Sequence, residues 1–352
     1  MVIAPHPDDE SLACGGLIQR AVAAGADVCV VIATRGDANP WPQRWSERRW
    51  RLDPAAVARW GALRTSEARA ALEILGVADD RVCFLQWADQ GLTTRLVREG
   101  DASVAKLREF VALQRPTLVV MPDIRDSHPD HSALAILVEA ALRAESSKAR
   151  VLTYWLHGRR GAPVRPSPQV TLSPSELAIK RAAALSHVSQ THFGRSRLLR
   201  FVDVVERFLE PGWPRHEVRG QWRWRFVARR SWSMAAARRV HVVAVSATGA
   251  LHAVSFELRG AGRDNVLRVT RPSRLALEVE IGPPWPQYAI VLAKLGTDHR
   301  INVFDSFAWT GCTEALQESI HHAALPTGSR LRRVTATGAM APSVADDETV
   351  PS

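Results

Sequence analysis

Val2-Ile3-Ala4-Pro5-His6-Pro7-Asp8-Asp9-Glu10 opens the chain with three apolar residues, then packs one histidine and three carboxylates into five positions. A folding core has no use for such a cluster, because buried charge must be paired or must coordinate something. The stretch reads instead as the end of a strand followed by a loop that carries chemistry. A second cluster, Ser127-His128-Pro129-Asp130-His131, follows another apolar run, Thr117 to Met121. The two stretches look like halves of one metal site, and whether they meet depends on what lies between them.

Between and beyond them the chain alternates. Ser11 to Ala24 has the spacing of a helix and ends at Gly25. Val28 to Ala33 is a continuous valine-rich run of the kind covered on both faces. A Trp- and Arg-rich stretch from Pro40 to about Trp60 is long for a strand-to-helix connection and suggests a lid or substrate loop. A helix follows from about Ala62 to Leu75, then a strand over Val82 to Leu85, a turn at Asp89-Gln90-Gly91, and a helix over Ser103 to Gln114. After the fourth strand, Ser132 to Ala144 is helical, Val151 to Leu156 a fifth strand, and Ser175 to Ser186 another helix. Strand and helix in alternation predict an α/β fold: a doubly wound, mostly parallel, Rossmann-like sheet with helices on both faces.

Past residue 205 the rhythm shortens. Residues 206–238 form a Trp/Arg-rich connector with Trp213, Trp222, Trp224 and Trp232. Residues 239–334 show short strand periods between Gly, Pro and Asp turns and suggest a smaller antiparallel β module. The tail, 335–352, has the composition of a disordered segment. The first unit is thus 1–205.

The charge balance, 46 Lys and Arg against 36 Asp and Glu, gives a net +10. Such an excess invites anionic partners, but it is scattered, arginine-dominated, and accompanied by no nucleic-acid reading motif, so no nucleic-acid partner is expected. The densest group, Arg44, Arg48, Arg49 and Arg51 among Trp41, Trp45 and Trp50, is where an anionic or sugar ligand is best sought. Four cysteines without paired spacing fit a reducing compartment. No apolar run is long enough to span a bilayer and no signal peptide opens the chain, so a cytoplasmic protein is expected.

In a parallel α/β sheet all strands end on one edge, where ligands bind. Both clusters follow strands, so both lie on that edge. A catalytic zinc takes three protein ligands and keeps one position open. His6, Asp9 and His131 can supply the three, leaving Asp8 and His128 beside the open position. Asp8 and Asp9 side by side would repel without a cation. A bound divalent metal acidifies water and polarises a carbonyl, while a nearby carboxylate takes the proton and passes it to a leaving amine. Two histidines and one carboxylate suit iron(II) as well as Zn2+.

These residues resemble the paired motifs of the LmbE/PIG-L deacetylases, mostly zinc-dependent enzymes that remove N-acetyl groups from N-acetylglucosamine units. The likeness runs over about residues 2–200 and includes Thr34-Arg35-Gly36, Arg64-Thr65-Ser66-Glu67, Asp89 and His187-Val188-Ser189-Gln190. It implies that His6, Asp9 and His131 hold the metal and that Asp8 is the general base. It also implies that His128, as imidazolium, stabilises the oxyanion, that Asp130 orients it, and that Arg64 and Asp89 contact the sugar. Where some members carry a tyrosine, this chain has Asp126.

Blander roles stand beside these: Asp130 as a helix cap, Arg64 as a solvated helix residue, Asp89 as a turn residue. The substrate class implied is a small amino-sugar conjugate, with peripheral contact to a lipid-linked one left open and the oligomeric state undetermined. The alternatives are an amidase acting on another acyl or thiol conjugate, or a non-catalytic metal- or sugar-binding module.

Overall fold

The computed structural model describes residues 1–158, 168–213, 223–229, 237–258, 267–273, 276–281, 288–297 and 309–315. Five strands, β1 (Val2–Ala4), β2 (Val30–Thr34), β3 (Val82–Trp87), β4 (Leu118–Pro122) and β5 (Arg150–Tyr154), form one parallel sheet in the order β3-β2-β1-β4-β5. Alternate residues face opposite sides of each strand. Ile3, Val31, Val119 and Met121 feed one core, and Val2, Ala4, Val30, Ile32 and Val120 feed the other. The doubly wound expectation is met.

The winding reverses between β1 and β4, which are neighbours, Val2 pairing with Val120. Crevices at such a reversal are where open α/β sheets bind ligands. The loops after β1 and after β4 are the two that carry the histidine clusters. One sheet register therefore brings together residues more than a hundred positions apart.

Helix α1 (Asp9–Ala23) begins inside the first cluster, two residues earlier than the apolar spacing indicated. The Trp/Arg stretch is helical: α2 (Pro40–Glu47) starts with Asn39 accepting from the Trp41 N–H, and α3 (Pro54–Ile74) starts with Asp53 accepting from the Ala56 N–H. Proline in the first turn of each helix and a capping side chain before it explain both starts. After β3 come α4 (Leu92–Arg98) and α5 (Gly100–Gln114), and after β4 comes α6 (Pro129–Ala144). A short antiparallel pair, β6 (Gln169–Thr171) and β7 (Val205–Arg207), brackets α7 (Pro174–Leu185) and α8 (Val188–Leu199).

A cut at residue 205 would pass through β7. Glu206 accepts from the Gly16 and Leu17 N–H groups of α1 at 2.7 and 2.9 Å and from Lys180 Nζ at 2.7 Å, all in the interior. A bridge from Thr153 to Leu209 carries the α/β unit slightly further still.

Beyond it, β8 (Arg223–Arg229) lies where a connector was expected. β9 (Ala237–Ser246), β10 (Leu251–Glu257), β11 (Leu267–Ser273), β12 (Ala276–Ile281), β13 (Tyr288–Thr297), β14 (Thr310–Gly311) and β15 (Thr313–Ala315) follow. They make two four-stranded antiparallel sheets, β10-β9-β13-β14 and β11-β12-β8-β15. Val243, Val245, Leu251, Ile290, Leu292 and Trp309 join the same core cluster as Leu92, Leu96, Val104 and Leu107. The β module therefore packs on α4 and α5. Trp213 packs against this core, while Trp222, Trp232 and the tail 335–352 lie outside the described residues.

Candidate metal centre

Asp9, the first residue of α1, points back into the cluster. Its Oδ2 lies 3.0 Å from His6 Nδ1 and 3.2 Å from His131 Nε2. Three donors from two sheet-edge loops thus converge on one point. Burial pushes the Asp9 carboxyl up, but the flanking His131 and His6 hold it well below the usual carboxylate range.

Each imidazole has a carboxylate behind it. The far nitrogen of His6, Nε2, is 3.2 Å from Asp89 Oδ1 and 3.3 Å from Asp130 Oδ2. His131 Nδ1 is 3.2 Å from Asp126 Oδ2. Carboxylates placed on the outer nitrogens of metal-binding histidines fix the ring and raise its basicity. Both His131 nitrogens are fully buried, yet neither makes a properly angled hydrogen bond. A buried imidazole in that condition, facing a carboxylate and another histidine, fits a bound cation, and so does the hard-oxygen and imidazole donor set.

Asp8 stands at the N-cap of α1 with φ 131°, a conformation side chains rarely adopt. Neighbours hold it there. Glu10 Oε2 accepts the Asp8 N–H at 3.0 Å, and Arg64 Nη2 donates to Asp8 Oδ2 at 2.9 Å and to the Pro7 carbonyl at 2.6 Å. Arg64 Nη1 donates to the Gly36 carbonyl at 2.7 Å, so one guanidinium ties the loops after β1 and β2. Burial, reinforced by the charge of Asp9, pushes Asp8 up to about 6 against the pull of Arg64.

Arg64 is therefore buried rather than solvated. It is 5% exposed, and its terminal nitrogens are engaged with Asp8 and with the loops after β1 and β2. Asp89 is likewise committed: Oδ2 accepts the Ala38 N–H at 2.7 Å, and Oδ1 accepts the Gln90 N–H at 2.8 Å while facing His6.

His128 caps α6, its Nδ1 accepting from the Asp130 N–H at 3.3 Å. An Nδ1 that accepts leaves the ring proton on Nε2. Burial, with His6, His131 and His157 close by, holds His128 well below the usual histidine value. Both observations favour a neutral ring with its proton on Nε2 over the expected imidazolium. Its orientation by Asp130 comes through the backbone; the Asp130 carboxylate instead accepts the Leu92 N–H at 3.0 Å, capping α4, and faces His6.

Three participants went unrecognised in the sequence. Asp126, noted only as a departure, backs His131 and also accepts the Leu156 and His157 N–H groups at 2.9 and 3.1 Å. Glu10, a bystander by its position in the helix, holds the Asp8 backbone. His157, just past β5, has its ring centre 4.8 Å from that of His131 and 5.4 Å from that of His128. Glu67 and Ser189, from two of the supporting fragments, bond to each other at 2.6 and 2.7 Å and pin α8 to α3.

The first part of the chain is similar to known proteins. The family model "GlcNAc-PI de-N-acetylase" (PIG-L) matches residues 1–142. The 1D-myo-inositol 2-acetamido-2-deoxy-alpha-D-glucopyranoside deacetylase of Corynebacterium efficiens is 33% identical over 141 residues, covering 36% of this chain and 43% of its own. That of Mycobacteroides abscessus is 34% identical over 170 residues, covering 44% and 58%. The chain thus spans about half the length of the relatives it matches. Among solved structures, the conserved protein TT1542 from Thermus thermophilus is 27% identical, with a TM-score of 0.44 over 60% of this chain and 93% of its own. The N,N'-diacetylchitobiose deacetylase of Pyrococcus horikoshii is 23% identical, with a TM-score of 0.43 over 59% and 81%. Residues 1–142 of this chain thus match the PIG-L family domain.

Proposed function

We propose that the protein is a zinc-dependent N-deacetylase acting on an N-acetylglucosamine-type amino sugar or a conjugate of one. The carrying observation is the convergence of His6 Nδ1, Asp9 Oδ2 and His131 Nε2, with Asp8 held beside them by Arg64. The inositol N-acetylglucosamine deacetylases among the relatives support the substrate class.

A cation held by these three residues supplies Lewis acidity for the attacking water and the amide carbonyl. Asp8 takes the proton from that water; a carboxyl titrating near 6 is a carboxylate at neutral pH, yet still returns a proton to a departing amine. His128 donates its Nε2–H toward the oxygen on which charge develops, a neutral imidazole being a sufficient donor. Asp89, Asp130 and Asp126 keep the ligating rings in place. Arg64 positions the base and leaves sugar recognition to other residues of the crevice.

Four cysteines, none in a disulfide, are consistent with a cytoplasmic location, and no helix among the described residues is long and apolar enough to cross a membrane. The deciding experiment measures acetate release from N-acetylglucosaminyl lipids, nucleotide-sugars and thiol conjugates, with metal content determined on the same preparations. Asp8→Asn is expected to keep its metal and lose on the order of 10²–10⁴ in rate. Full activity in that variant would falsify the assigned base, and no acetate from any substrate would overturn the deacetylase.

A further inference from the structure

Beyond the two imidazoles of the three-ligand pattern the cluster holds two more, His128, whose Nδ1 caps α6, and His157. One donor atom each from Asp9, His131 and His157 lie within 4.8 Å of one another. Asp9 and His131 are already two of the three residues facing the assigned cation position.

The direction of the His157 ring is fixed by its backbone. Its N–H donates to Asp126 Oδ2 at 3.1 Å, and its carbonyl accepts from the Ser127 N–H at 3.3 Å and from the Trp155 indole N–H. The chain after β5 is thereby zipped to the loop after β4, the loop that carries His131. Phe201 closes the other side of the ring at 5.8 Å between centres. Neither ring nitrogen of His157 has a hydrogen-bond partner among the described residues.

The ring geometry is compatible with ligation, as it also is for His128 beside His6 and His131. Two imidazoles bound to one tetrahedral zinc at roughly 2.0–2.1 Å have ring centres about 5 Å apart. The centres of His131 and His157 are 4.8 Å apart and their planes cross at 77°, so the rings are not stacked and both can aim an edge at one point. A ring placed only to fill space beside Phe201 needs no such approach to Asp9.

We propose that His157 is a further ligand of the cation held by His6, Asp9 and His131, so that the resting centre has three imidazoles and one carboxylate. This rests on the metal-centre assignment above. A fourth protein ligand would tighten the hold on the cation and make added water a fifth donor, a coordination number zinc accommodates.

Cobalt(II) is the probe, titrated into metal-free full-length protein and followed by its visible ligand-field bands and by competition with a chelator. His157→Ala is expected to bind about tenfold more weakly or worse, with an altered band pattern and intensity. His131→Ala, which removes an assigned ligand, is the reference for loss of the centre. His157→Gln, similar in size and polarity, is titrated alongside, and circular dichroism checks that each variant folds. Wild-type affinity and spectrum in a folded His157 variant, with binding lost in His131→Ala, would remove His157 from the ligand set and leave the centre standing. Absence of cobalt binding in the unmutated protein would overturn both.

Discussion

Asp8 combines a carboxyl pushed up to about 6 with a backbone φ of 131°. The second property predicts a stability difference independent of chemistry. Non-glycine residues in such conformations store on the order of 1–3 kcal/mol, so Asp8→Gly is expected to melt above Asp8→Ala although both are inactive. A differential scanning experiment on the two variants decides it.

The first property sets a pH dependence. As the proposed base, Asp8 must be ionised, so kcat/KM is expected to rise with pH along an acid limb at or below about 6, since a bound cation favours the carboxylate. Stability runs the other way. The folded-state value lies above the unfolded one, so the contribution of this carboxyl is full below about 4 and is lost as pH rises through about 6. Metal-free Asp8→Asn should lack that part of the pH dependence. At the ring behind which it sits, Asp126→Asn is expected to weaken metal binding by about 10–100-fold with little change in fold, measurable by chelator competition.

Among elements, what was legible follows from what is periodic. All five sheet strands and the helices α1, α5, α6, α7 and most of α3 announced themselves by apolar spacing, while α2 lay in a stretch read as a lid or loop and α8 was not read as a helix; Pro5 through Glu10 announced half a site by charge density. Helix α4 did not, because its seven residues include two threonines and its capping carboxylate, Asp130, arrives from 38 positions away. The roles of Asp126 and His157 were not legible in spacing, because each acts on a ring brought to it by sheet order. Arg64 and Asp89 were found by resemblance, but their work on Asp8 and His6 belongs to the folded chain.

Close approaches between elements are testable too. Gly249 has φ +79°, and a Cβ there would lie 2.3 Å from the Ala140 carbonyl oxygen and the Ala144 nitrogen. Gly249→Ala is expected to cost about 1–3 kcal/mol, read from urea unfolding.

For the molecule as a whole, the β module is bound to the α/β unit by shared core. Leu251 reaches Gly100 of α5, and Val243, Val245, Ile290 and Leu292 lie against the same cluster as Leu92 and Leu96. A chain ending at residue 213 is therefore expected to expose apolar surface, bind anilinonaphthalene sulfonate and melt lower than the full chain. The opposite surface trend is found on α2 and just past its end. Trp41 and Trp45 of α2 and Trp50 beyond it are 52%, 66% and 77% exposed, while Gln43 is fully buried, its side-chain amide donating to the Ala56 carbonyl. Arg44 lies over the Trp41 ring at 5.2 Å. This helix starts two residues past Ala38, whose N–H is held by Asp89, so it leaves directly from the metal cluster.

The arrangement equips the protein with its own optical reporter. Trp60 and Trp87 are buried and will emit in the blue, whereas the three exposed indoles will emit in the red beside arginines that concentrate iodide around them. Iodide-quenchable red-edge emission lost on Trp41→Phe, Trp45→Phe and Trp50→Phe therefore reports this surface without any attached label, and a ligand settling there will register as lost quenching of that share.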